Sequence, residues 1–229
     1  MLLVAGATIV LVGCGESEVE PQAPRPAAVA PAHPPGPKVF PAAAAPMLDD
    51  PSRDVWQRPD EVVAVLGIRP GQRVADVGCG TGYFTLRLLR ATGASGRVIA
   101  VDVQQEMLDI LERRLDAAER KRVTLRRSAP DRPLEAADAV DLVFCANTLY
   151  EVDAPDVERF VKSMADGLAP GGRLAVLEWK PERARLGPPL EMRISPARIT
   201  ELAVRAGLSP AGDIGLLPTH TFLVFVKPR

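Results

Sequence analysis

The chain has 229 residues, of which 47% are hydrophobic, 25% charged and 4% aromatic, a composition typical of a globular domain. A formal net charge of -1 and the scarcity of aromatic residues argue against nucleic acid as a partner. Phosphate binding needs an excess of Lys and Arg, and base stacking needs aromatic side chains. Three cysteines, Cys14, Cys79 and Cys145, are too few for a disulfide framework or a cysteine-rich zinc site, and we expect no metal.

The N-terminus begins with a short apolar run, residues 1–12, which is followed by Gly13-Cys14 and then by polar residues. The run is too short to span a bilayer as a helix but long enough for the core of a signal segment. It resembles a bacterial lipoprotein signal over residues 1–14. That resemblance implies a lipid on Cys14, attachment to a membrane and a place in the cell envelope. No Lys or Arg precedes the run, so the alternative is a hydrophobic N-terminus with a chance cysteine on a cytoplasmic protein.

The next segment, residues 15–48, is mostly Pro and Ala from residue 21 to residue 46. Such a composition cannot bury enough surface to offset the entropy of ordering, so we expect a disordered, extended tether. The folded domain is therefore predicted over residues 49–229.

Within the predicted domain, short β-branched runs alternate with amphipathic stretches, which is typical of a parallel sheet covered by helices. The pattern predicts strands at residues 73–77, 98–101, 123–126, 140–145, 174–177, 211–216 and 221–226. Helices are expected near residues 59–66, 84–89, 104–119, 153–168 and 195–207. The last two strands are joined too closely for a crossover, so the last strand should be antiparallel. We predict an α/β fold with a doubly wound, mostly parallel, seven-stranded Rossmann-like sheet.

A glycine-rich motif lies where the first of these strands meets a helix, and it reads Val-Ala-Asp-Val-Gly-Cys-Gly-Thr-Gly-Tyr-Phe over residues 74–84. Glycines let the backbone turn sharply and approach a ligand without a Cβ clash. The motif resembles motif I of class I S-adenosylmethionine-dependent methyltransferases. The resemblance implies that the loop binds the methionine portion of that cofactor and that the acidic residue holds its ammonium group. The residues concerned are Asp76, Gly78, Cys79, Gly80 and Gly82.

Further polar residues follow the later strands. Asp102 ends the next strand, where a carboxylate can accept hydrogen bonds from both ribose hydroxyls. Dinucleotide-binding proteins use the same device, so a nicotinamide-dependent oxidoreductase is an alternative. The resemblance also places Asp131 near the adenine and Asn147 near the sulfonium, and an ordinary turn residue is the alternative for each.

The resemblance covers residues 55–227, and the chain is similar to the small methyltransferases that include the quinone C-methylating and arsenite-methylating groups. The cysteines expected for arsenic binding are not evident. It implies S-adenosylmethionine as cofactor and a small or lipophilic methyl acceptor as partner. An oxygen or nitrogen acceptor also needs a base. Tyr150 and Glu151 are the candidates, or they simply line the pocket, while Asp153 is expected to cap a helix. A silent module that binds the cofactor without catalysis is a further alternative.

Three other features have expected roles. His220 should be a partly buried structural histidine. Trp56, Arg58 and the loop over residues 181–193 could cover the site, an inference from position alone.

Overall fold

A computed structural model describes residues 39–182 and 187–229 of the chain. Cys14 and the predicted signal and tether up to residue 38 lie outside these residues. Within the described ranges, no helix has the length and apolar character needed to cross a membrane.

Seven strands form one sheet in the order β3-β2-β1-β4-β5-β7-β6. Their bounds are β1 Arg73–Val77, β2 Arg97–Asp102, β3 Val123–Arg127, β4 Val140–Ala146, β5 Leu168–Trp179, β6 Ser209–Asp213 and β7 His220–Val226. The pairings among β1 to β5 are parallel, whereas β7 is antiparallel to both β5 and β6. The predicted fold class and the antiparallel last strand are confirmed.

Helices cover both faces of this sheet. They are α1 Ser52–Gln57, α2 Pro59–Val65, α3 Thr85–Ala91, α4 Gln105–Arg114, α5 Ala117–Arg120, α6 Val157–Asp166 and α7 Pro196–Arg205. Short 3-10 helices span Ala42–Asp49, Ala136–Asp138, Leu149–Glu151 and Leu190–Met192. Alternate residues of one strand point to opposite faces, so Ala75 packs on the side of α6 and α7 while Val74 packs on the side of α2, α3 and α4. Burial on both faces explains why central strand β4 is continuously apolar over residues 142–145.

Two helix predictions were wrong in detail. The expected helix over residues 104–119 is divided because Leu115 is extended and Asp116 starts α5 with a capping box that includes Glu119. Helix α6 begins at Val157, so Asp153 is not its cap. Instead, the Asp153 carbonyl accepts hydrogen bonds from Asp156 and Val157 in the turn before the helix.

The folded part also begins earlier than the predicted boundary at residue 49. Residues 39–49, hereafter the N-terminal segment, contain the 3-10 helix Ala42–Asp49 and contact α4. Ala45 is buried, and Leu48 packs towards the glycine loop. Apolar side chains therefore attach this segment to the folded domain.

Candidate active site

A cavity of about 540 Å³ lies at the carboxyl ends of β1, β2, β4 and β5, the edge at which open α/β sheets bind ligands. The structure brings eight of the predicted site residues to its wall: Asp76, Gly78, Cys79, Gly80, Asp102, Asn147, Tyr150 and Glu151. The remaining two predicted residues, Gly82 and Asp131, face other parts of the molecule.

The glycine loop follows β1 and is tied to the end of β2. The main-chain N–H groups of Gly78 and Cys79 both donate to the Val101 carbonyl, at 2.9 and 3.0 Å. Gly78 has a φ of +73°, and a Cβ there would lie 2.1 Å from the Thr148 hydroxyl oxygen. Gly82 has a φ of +89° and lets Leu111 of α4 pack where its Cβ would be. Gly78 therefore shapes the cavity, whereas Gly82 seats the loop on the helix beneath it.

Two buried carboxylates flank this loop. Asp102 is 8% exposed and accepts hydrogen bonds from the N–H groups of Gly80 and Gln104, and burial raises its pKa. Asp76 is 2% exposed and accepts a hydrogen bond from the Thr85 hydroxyl at 2.6 Å. Burial raises the pKa of Asp76 to about 7. A buried carboxylate of this kind favours a cationic ligand group, which restores its ionised form.

Of the two residues expected near the adenine and the sulfonium, Asp131 lies outside the cavity and Asn147 lines it. Asp131 forms an ion pair with Arg159 at 2.7 Å and lines a second groove beside α6 and α7, as a turn residue would. The cavity wall in this region comes from its neighbours Ser128, Pro130 and Pro133. Asn147 does line the cavity, with a φ of +54°, and its buried side-chain oxygen has no hydrogen-bond partner in the described part of the chain. This oxygen is available to a ligand.

Tyr150 and Glu151 lie on the 3-10 helix after β4. The Tyr150 hydroxyl donates to Glu151 Oε1 at 2.9 Å, and the Phe40 N–H donates to Glu151 Oε2 at 3.2 Å. Burial raises the pKa of Glu151 to about 8 and also raises the pKa of Tyr150. This carboxyl group can therefore exchange a proton near neutral pH.

The N-terminal segment forms part of the cavity wall, a role that sequence reasoning missed. Its Phe40 carbonyl accepts a hydrogen bond from the Gln104 side chain at 2.9 Å, while its Phe40 N–H reaches Glu151 on the opposite side. Arg114 of α4 binds Asp49 and also the carbonyl of Thr81 in the glycine loop. The apolar Phe40 inside the Pro/Ala-rich tract, and Met47 and Leu48 directly after it, are the signal that could have identified it.

An aromatic wall lies on the β5 side of the cavity. The Trp56 and Trp179 rings are 5.2 Å apart, and His220 lies behind them at 5.9 Å and 4.2 Å respectively. His220 is 1% exposed, more completely buried than expected, and burial lowers its pKa to about 3, so the imidazole is neutral. Gly187 and Pro188 of the expected covering loop also line the cavity. Arg58 instead pairs with Glu61 and the Leu216 carbonyl.

Comparisons with known proteins agree with this geometry. A family model described as a methyltransferase domain matches residues 74–172. A demethylmenaquinone methyltransferase of Bacillus cereus (strain ATCC 10987 / NRS 248) is 31% identical over 130 residues, or 54% of this chain and 50% of the relative. The chain thus spans about half the length of the curated relatives it matches.

Solved structures show the same fold. A SAM-dependent methyltransferase from Aquifex aeolicus superposes with a TM-score of 0.74 at 28% identity, covering 82% of this chain and 99% of that one. The magnesium protoporphyrin IX methyltransferase of Synechocystis PCC 6803 with bound SAM gives a TM-score of 0.58 at 23% identity, covering 78% and 82%. These similarities favour a methyltransferase over the dinucleotide-dependent alternative.

Proposed function

We propose that the chain is an S-adenosylmethionine-dependent methyltransferase and that it methylates a small, largely apolar acceptor with a flat aromatic ring. The observation that carries this proposal is one cavity that joins a glycine loop with two buried carboxylates to a wall of two tryptophans. The relative named demethylmenaquinone methyltransferase supports an acceptor of the quinone type.

The cofactor fits the residues present. The absent Cβ at Gly78, the buried carboxylates of Asp76 and Asp102, and the unpartnered oxygen of Asn147 suit a ligand with a ribose and cationic groups. When bound, S-adenosylmethionine supplies a methyl carbon already activated for displacement. In this assignment Asp102 binds the ribose at the end of β2 and Asp76 binds the ammonium group beside β1.

Sheet order supports an acceptor site on the far side of the methyl group. From β2 through β1 and β4 to β5, the cavity wall changes from carboxylates to Asn147 and then to Trp179. The Trp56 and Trp179 side chains line this part of the cavity and provide aromatic surface against which a planar ring can pack. Because aromatic side chains have little rotamer freedom to lose, such a wall aligns the acceptor for in-line transfer at small entropic cost.

Glu151 is the proposed proton acceptor. Its carboxylate would take the proton that leaves the acceptor as the acceptor replaces sulfur on the methyl carbon and S-adenosylhomocysteine is left, and the Tyr150 hydroxyl orients it through their 2.9 Å hydrogen bond. The ionised form predominates above the Glu151 pKa of about 8, so transfer should quicken as the pH rises towards that value.

The test uses anaerobic 1,4-naphthalenediol as aromatic probe and cyclohexanol as apolar control, with radiolabelled cofactor. We expect label in the diol only, and Trp179→Ala should raise the KM for the diol at least about tenfold while the affinity for S-adenosylhomocysteine is unchanged. Equal transfer to both alcohols, or an unaffected KM, contradicts the aromatic acceptor. Cofactor binding without transfer to any acceptor favours the silent module.

We also propose that Cys14 is lipidated and holds the domain at a membrane of the cell envelope. The support is the apolar run that ends in Gly13-Cys14 and the polar, Pro/Ala-rich stretch that follows. Globomycin should slow processing of the full-length chain, and a Cys14→Ala variant should leave the membrane fraction. If globomycin leaves the migration of the chain unchanged and the wild-type protein is soluble, this part of the proposal is wrong.

A further inference from the structure

A buried carboxylate lies just outside the cavity wall, at the penultimate position of β5. Glu178 is 1% exposed, and its Oε1 accepts hydrogen bonds from the N–H groups of Thr148 at 2.8 Å and Leu149 at 2.6 Å. Its Oε2 is buried and has no hydrogen-bond partner among residues 39–182 and 187–229. A buried carboxylate lowers the stability of the fold unless hydrogen bonds or a paired charge compensate for its lost hydration.

The two N–H groups bound by Glu178 start the 3-10 helix Leu149–Glu151. The first N–H groups of a helix have no partner within it, and here no side chain of the turn itself caps them. Glu178 therefore performs the cap from a neighbouring strand, and it fixes the place at which the chain turns after β4.

The same turn touches the cofactor loop. The Thr148 hydroxyl donates to the Ala146 carbonyl at 3.1 Å, and its side chain fills the space that a Cβ on Gly78 would need. One turn thus contacts the glycine loop on one side and carries Tyr150 and Glu151 on the other. A movement of this turn would shift the pair relative to the methyl carbon.

Charge links Glu178 to the pair as well. Glu178 and Asp102 face Glu151 as like charges, and both add to the effect of burial in raising its pKa. Glu178 and Glu151 raise the pKa of Tyr150 in the same way, while Arg53 of α1 lowers it. Burial raises the pKa of Glu178 itself to about 7.

We infer that Glu178 is a positioning residue: its carboxylate anchors the turn after β4 and thereby presents Tyr150 and Glu151 to the acceptor. The inference rests on the proposed function only for the role of the pair in proton transfer. The anchoring and the charge coupling can be measured without any turnover.

The experiment uses the full chain and two variants. Glu178→Gln keeps an acceptor oxygen but removes the charge, so the 13C-detected titration midpoint of the Glu151 carboxyl should fall by about half a pH unit or more. Its signal is assigned from its absence in Glu151→Gln. Glu178→Ala removes the acceptor, and hydrogen exchange of the Thr148 and Leu149 amides should quicken at least about tenfold. If Glu178→Ala does not fold, the Gln variant carries the test.

Ser163→Ala is the matched control. The buried Ser163 hydroxyl binds the main chain of Leu134 at 2.9 and 2.6 Å, so its loss also removes two main-chain contacts but at a distant turn. It should lower the melting temperature without changing the Glu151 midpoint or the two amides. If both Glu178 variants also lower only the melting temperature, and leave the Glu151 midpoint and the exchange of the two amides unchanged, the inference is wrong and Glu178 is a structural residue. A shifted midpoint in a protein that transfers no methyl group to any acceptor refutes the proposed function instead.

Discussion

The carboxylate of Asp102 accepts a hydrogen bond from the main-chain N–H of Gly80 at 2.8 Å. The carboxyl end of β2 and the loop after β1 are therefore joined through the same side chain that is proposed to bind the ribose. A second N–H, that of Gln104, occupies the other oxygen at 2.9 Å. Loop shape and ribose binding thus depend on one group.

We therefore expect Asp102→Asn to weaken cofactor binding by about 10- to 100-fold, since an amide can accept from only one of the two N–H groups and loses the charge-assisted bonds to ribose. Calorimetric titration with S-adenosylhomocysteine measures the effect. Asp131→Asn is the control, because Asp131 pairs with Arg159 at a separate groove and its change should leave the affinity as it is. Equal losses in both variants contradict the assignment.

Cofactor affinity should depend on pH through Asp76. Its pKa is raised to about 7 in the free protein, and the ammonium group of the ligand binds only the ionised carboxylate. Binding then releases a proton, so affinity should fall roughly tenfold per pH unit below 7 and level off above it. Asp76→Asn should bind weakly at every pH, with a flat profile. A wild-type affinity that is constant from pH 5.5 to 8 refutes the role of Asp76.

The stability of the free protein should show the opposite trend with pH. Burial raises the folded-state pKa values of Asp76, Glu151 and Glu178 to about 7, 8 and 7, above the ordinary values for these groups. The folded chain then binds protons more tightly than the unfolded chain, and the free energy of unfolding falls as the pH rises from about 5 to 8. Urea unfolding across this range measures the slope, which should be shallower in Glu178→Gln. A free energy that rises with pH is the contrary result.

Gly78→Ala should abolish cofactor binding. The added methyl group would lie 2.1 Å from the Thr148 hydroxyl oxygen, and the φ of +73° is strained for any L-residue with a side chain. Gly67→Ala is the matched control, since its φ of +58° carries similar strain but nothing lies within 4 Å of the new Cβ. Both variants should lose about 1 kcal/mol of stability from conformation, but only Gly78→Ala should fail to bind S-adenosylhomocysteine.

The N-terminal segment should contribute to cofactor affinity. The Leu48 side chain lies 3.2 Å from the position of a Cβ on Gly80, so it covers the loop from above. Leu48→Ala should weaken binding by roughly three- to tenfold, the effect of losing partly buried apolar surface. Val55→Ala is the control, because Val55 is 81% exposed. If Leu48→Ala and the wild type bind with equal affinity, the N-terminal segment contacts the site without contributing to cofactor binding.

Most of the sheet and the cofactor loop could be predicted because their signals are local. Buried strands are continuous apolar runs, and Asp76 and the glycines are neighbours in the sequence. The rest depends on partners that are distant in the chain. Phe40 and Glu151 are 111 residues apart, and Glu178 is 30 residues from Thr148, so no local pattern reveals either contact.

Two features that sequence reasoning missed do have a recognisable signal in the sequence. The capping box of Asp116 and Glu119, which breaks the expected long helix, has the spacing of an ordinary helix start. Glu178 is a charged residue that directly follows the apolar run of residues 174–177 in β5, a position where it is buried from water. Asp131 shows the converse. It lies in the region after β3 that the resemblance assigns to the adenine, but its carboxylate pairs with Arg159 of α6 instead.

The central claim is that the cavity binds S-adenosylmethionine through Asp76 and Asp102. The most direct measurement is calorimetric titration of the purified chain with S-adenosylhomocysteine at pH 8, alongside Asp76→Asn, Asp102→Asn and NADH as a competing ligand class. We expect saturable binding at one site in the wild type, strong loss in both variants and no binding of NADH. Binding of NADH, or no binding of S-adenosylhomocysteine at millimolar concentration, would contradict it.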